Sequence, residues 1–77
     1  MEWIIKHNLG TDTVWHICDI SLYSHEDSDW VLGNEESQQR NKAKLFTNKK
    51  RAERVAAILS YQECEYGGKR KYEVEEA

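Results

Sequence analysis

The sequence has no proline, only four glycines and only two cysteines, and each shortage removes a class of structure. Without proline there is no cis-proline turn and no stiff proline-rich linker. The glycines stand at Gly10, Gly33, Gly67 and Gly68, so no glycine-rich phosphate loop can be formed. Cys18 and Cys64 could close at most one disulfide, too little for a disulfide-knit secreted scaffold, and both are expected to be reduced. No uncharged run approaches the roughly 20 apolar residues of a membrane span, and the first residues lack a signal-peptide pattern, so a cytoplasmic, membrane-free protein is expected.

Aliphatic residues are also scarce, and mean hydropathy is −0.87. Three Trp, four Tyr and one Phe compensate by supplying large side chains for a core. With 77 residues there is room for one small core, and residues 1–77 are expected to form a single domain.

What is present reads as strands followed by one helix. "MEWIIKHN" suits a first strand, and "NLGTDT" a turn. Val14 to Tyr23 is rich in β-branched and aromatic residues. Strict alternation would put Val14, His16, Cys18, Ile20 and Leu22 on one face and Trp15, Ile17, Asp19, Ser21 and Tyr23 on the other. "WVLG" can form a short third strand. Residues 24–44 otherwise read as a mobile polar loop, with room for a helical turn within Glu35 to Ala43. Thr47 then caps a helix in which Ala52, Val55, Ala56 and Leu59 line one face, with Phe46 folding back on it. That helix is expected to stop near Ser60. Gly67-Gly68 would turn a hairpin between two alternating runs, with Tyr72 and Val74 toward the core. The sum is an α+β fold, a small antiparallel sheet of three to five strands covered on one face by a single helix, in the order ββ(β)αβ(β). The other face would be left bare, and Trp15, Ile17, Tyr23 and Trp30 are candidates for a contact surface there, including self-association.

"KAKLFTNKKRAERVAAIL" and the closing "YEVEE" resemble the carboxy-terminal part of small, mostly uncharacterised phage and prophage proteins. In these, an A-x-x-F-T/D-x-K-x-x-A helix entry precedes a final Y-x-V-x-E strand. Ala43, Phe46, Thr47, Lys49 and Ala52 match approximately, as do Tyr72, Val74 and Glu76, about a third of the chain. The resemblance implies a phage origin, a bacterial host cytoplasm and this strand-helix-strand architecture. It carries no catalytic group.

Charge is segregated along the chain. Between Arg40 and Arg54, seven cations face only Glu53, a balance of +6. Between Asp19 and Glu36 there are six acids and no Lys or Arg. Lys49, Lys50 and Arg51 stand in the first helical turn, where the backbone already carries partial positive charge. Arg40, Lys42, Lys44, Thr47, Lys49, Lys50, Arg51 and Arg54 therefore form the candidate anion- or partner-binding set. A solvated face, or neutralisation by the acidic stretch, is the alternative. A protein partner is favoured over nucleic acid because the chain as a whole is acidic. A monomer or weak homodimer is expected.

Catalysis is not. Cys18 beside His16, or Ser60 near Glu63, lacks a recognisable triad pattern, and the paired acids Glu35-Glu36 and Glu75-Glu76 suit solvated ends. His16 and Cys18 could share a metal with His7 or Cys64, but the paired knuckle spacing of zinc sites is missing. No metal or cofactor is expected.

Overall fold

A computed structural model describes residues 1–8, 12–24 and 30–77; for residues 22–24 and 30–31 only the backbone is considered. Strand β1 is Trp3–His7, β2 Trp15–Ser24 and β3 Trp30–Ser37; a 3₁₀ turn follows at Arg40–Lys42, then helix α1 at Lys49–Glu65 and strand β4 at Glu73–Glu76. The four strands make one antiparallel sheet in the order β3-β2-β1-β4. This is the expected α+β class.

The core lies between α1 and one sheet face. Ile5 and Ile17 contribute from the strands and Ala52, Ala56 and Leu59 from the helix, with Phe46 and Tyr72 completing the cluster. Trp3, Ile20, Leu32, Val55 and Val74 pack around it. The helix residues recur at the three- and four-residue spacing that lines one side of a helix, which is why this segment docks as it does. Burying each large side chain stabilises the fold by about 1.5–3 kcal/mol.

Ile17 is fully buried under the helix, which corrects its assignment to a bare sheet face. The cause is a β-bulge: Ile17 pairs with Glu36 but Asp19 with Glu35, so Cys18 is an extra residue on β2. The slip resets the alternation, and Ile17 and Ile20 both serve the core. Trp15 pairs with His7 and is half-buried, on the helix side of the sheet. The side chains of Tyr23 and Trp30, the 9–11 turn and the acids Glu26, Asp27 and Asp29 lie outside the described residues.

The opposite face is not bare either. Ile4 and His16, which point away from α1, are only 2% and 5% exposed. Beyond β3 the chain crosses this side. Arg40 donates to the Glu75 carboxylate at 2.9 Å and to the Glu76 carbonyl at 3.0 Å, while Ala43 is buried. The chain then enters the sheet. Lys44 N–H donates to the Ile17 carbonyl, and Phe46 exchanges two backbone bonds with Trp3, on the edge of β1 away from β4. Much of the 24–44 region expected as a mobile loop is thus a strand, a 3₁₀ turn and this crossing segment.

Two boundaries also move. Asn48 rather than Thr47 is the N-cap, its side-chain oxygen accepting from Arg51 N–H at 3.1 Å. Asn caps at least as well as Thr and stands one residue closer. The helix runs on to Glu65 instead of ending near Ser60, because nothing in Tyr61 to Glu65 breaks it. Gly67, at φ +78°, ends it, with Gly68 N–H on the Glu63 carbonyl (2.8 Å) and Gly67 N–H on that of Cys64 (3.1 Å). This is a Schellman terminus in place of the expected hairpin turn.

Both sheet edges are guarded. β4 carries Glu73, Glu75 and Glu76 in four residues. On β3, the Gln62 carboxamide bonds both the N–H and the carbonyl of Leu32, each at 2.9 Å. A helix side chain here occupies the position of a neighbouring strand.

Candidate functional site

The eight cationic-segment residues separate into two groups in space. Arg40 lies on the far side of the sheet, bound to Glu75, which also meets Lys6 at 3.3 Å. Its charge is spent within the molecule, and the two cations hold the Glu75 carboxyl below its ordinary pKa, Arg40 contributing most. Lys42, Lys44 and Thr47 are exposed, with the Lys44 ammonium 5.9 Å from the centre of the Phe46 ring.

Lys49, Lys50, Arg51 and Arg54 project from the first half of α1 and are exposed. Among the described residues no carboxylate lies within ion-pair distance of any of them. Lys50, Arg51 and Arg54 line a surface groove with Asn48, Val55 and Ile58. Three cations thus flank two apolar side chains, and among the described residues no acid lines the groove. Asn48 already satisfies one first-turn amide, so the groove offers side-chain cations more than free backbone donors.

Further along the same exposed side, Ile58 is 39% and Tyr61 65% exposed. The Tyr61 hydroxyl is in hydrogen-bonding reach of Glu65, whose bond and negative charge both raise the phenol pKa. No acid occupies the first turn of α1 and no cation the last, so the helix is charged against its dipole at both ends.

A second constellation went unread in the sequence. His7 Nε2 is 2.7 Å from one Glu36 oxygen, and the Tyr72 hydroxyl donates to the other at 3.3 Å. The His7 and Tyr72 rings meet edge-on at 5.1 Å. Burial raises the Tyr72 pKa, and the Glu36 charge adds to it. The His7 side chain is 1% exposed, so this Glu-His pair has the chemistry of an activating dyad without access for a substrate. Its effect is to tie β1, β3 and the approach to β4 together. The local signal was weak: Glu36 sits in a polar run, 29 residues from His7.

His16 Nδ1 lies 3.3 Å from the Ser37 carbonyl, and Cys18 and Cys64 are free thiols. No cluster of three or more His, Cys, Asp or Glu suited to a metal occurs among the described residues. No helix among them is long and apolar enough to cross a membrane. Comparison with protein-family models, curated proteins and solved structures gives no match.

Proposed function

We propose that this protein acts by binding rather than by chemistry, seating an acidic segment of a host or phage protein on the outer first half of α1. The observation that supports it is the groove in which Lys50, Arg51 and Arg54, without an ion-pair partner among the described residues, stand beside Val55 and Ile58. Cations at a helix amino terminus cost a few tenths to about 1 kcal/mol each, a poor bargain for a small domain unless the charge is used. Carboxylates of a partner would accept charge-assisted bonds from the two guanidinium groups, and an aliphatic side chain would cover Val55 and Ile58. That the partner belongs to a phage or its host rests on the resemblance at Ala43 to Ala52 and Tyr72 to Glu76 alone.

A labelled peptide rich in Glu and Leu, titrated at low salt, is expected to bind and to be released as salt rises. The triple variant K49E/K50E/R51E is expected to keep its fold and lose that binding. Unchanged peptide affinity in the variant would remove the reading. Titration with single- and double-stranded DNA and RNA distinguishes the other outcome, because a nucleic-acid site would show a steep salt slope with those ligands and none with the peptide.

A further inference from the structure

The exposed side of α1 has a symmetry that acidic-peptide binding does not require. One outward stripe carries Lys50, Arg54, Ala57, Ile58, Tyr61 and Glu65, all exposed. At 100° per residue they fall on the side opposite Ala52, Ala56 and Leu59. The stripe is cationic at the start, apolar in the middle and acidic at the end. Its midpoint, between Ala57 and Ile58, is also close to the midpoint of the helix, Lys49–Glu65.

We infer that this face pairs with the same face of a second copy, the two helices antiparallel about a two-fold axis beside Ala57 and Ile58. In that register Lys50 of one copy meets Glu65 of the other, and Arg54 lies over the ring of Tyr61. Ile58 packs against Ala57 of the second copy, a small residue that lets the helices approach. Each contact occurs twice by symmetry. Charge complementarity argues for this occupant: the ends that oppose each helix's own dipole are compensated by the oppositely charged ends of its neighbour, and the two dipoles run antiparallel. A second copy also covers Ile58 and Tyr61, the apolar and aromatic groups exposed at the centre of the stripe. This inference stands independently of the acidic-partner proposal. Because both use Lys50 and Arg54, the two associations exclude one another.

One helix face about 25 Å long is well short of the roughly 800 Å² per partner of a standard interface, so the dimer is weak, with a dissociation constant on the order of 0.1 mM at low salt. Sedimentation equilibrium of the full chain, without peptide, tests it. Wild type is expected to pass from monomer to dimer across that concentration, and I58D to stay monomeric. K50E and E65K singly are each expected to weaken the dimer roughly tenfold, since like charges then face one another twice. The double variant K50E/E65K restores both pairs and is expected to recover wild-type association within about twofold. Thermal melts provide the folding control: both exchanges place charge in favour of the helix dipole, so the double variant should melt no lower than wild type. Wild type remaining monomeric at about 1 mM, I58D dimerising normally, or the double variant staying as weak as the singles would each overturn the inference.

Discussion

At the scale of single residues, Glu36 joins two buried side chains from distant parts of the chain. Its two oxygens serve His7 and Tyr72, so E36A would leave a buried ring nitrogen and a phenol without their acceptor. Urea unfolding is expected to show a loss of about 2–3 kcal/mol for E36A, and about 1 kcal/mol for Y72F, which removes one donor only. Tyr72 itself offers a pH signature. Its folded pKa is raised, so the neutral phenol's contribution is complete below the unfolded pKa of about 10 and is lost as pH rises through the folded value. Absorbance titration of wild type against Y72F should show Tyr72 ionising above the ordinary phenol range in the folded protein. Tyr72 was legible as a core residue because it precedes an alternating strand. His7 and Glu36 were not, since a pair formed across strands by distant residues leaves no local pattern.

At the scale of elements, α1 is secured at both ends by devices that single substitutions can remove. N48A gives up the cap on Arg51 N–H, and G67A forces a side chain into the left-handed region; each is expected to cost about 1 kcal/mol in thermal or denaturant unfolding. Gln62 acts on two elements at once. Q62A would remove both bonds to Leu32, costing about 1–2 kcal/mol, and would free the β3 edge, so faster aggregation by light scattering should accompany the loss. The helix face of Ala52, Ala56 and Leu59 could be read from spacing alone. Its last turn could not, because "ECEY" alternates well enough for a strand and only the chain's geometry at Gly67 decides. β3 extends through Asn34 to Ser37, polar residues with little strand preference, because β2 supplies ladder partners for them. Cys18 is the clearest failure of pattern reading, one inserted residue that reversed the predicted facing of Ile17.

At the scale of the whole molecule, charge is arranged in two ways. On the far side of the sheet Arg40 and Lys6 converge on Glu75 and strap the crossing segment to β4. The Glu75 pKa is lowered by these partners, so their contribution is present above the unfolded carboxylate value near 4 and fades as pH falls through the lower folded value. R40A is expected to be less stable than wild type at neutral pH by under about 1 kcal/mol, since the pair is partly solvated, with the difference shrinking in acid. The cations of α1 have no such partner among the described residues. The division between spent and available charge could not be read from a sequence in which Arg40 and Lys50 belong to one basic run.

The pairing of Trp3 with Glu76 and of Lys6 with Glu73 has a consequence for the time the chain takes to become native. β1 thus takes one neighbour from a strand far along the chain, and the other side of Trp3 pairs with Phe46, also distant in sequence. Such distant closures are entropically slow, so folding should lag well behind that of a helical bundle of equal length.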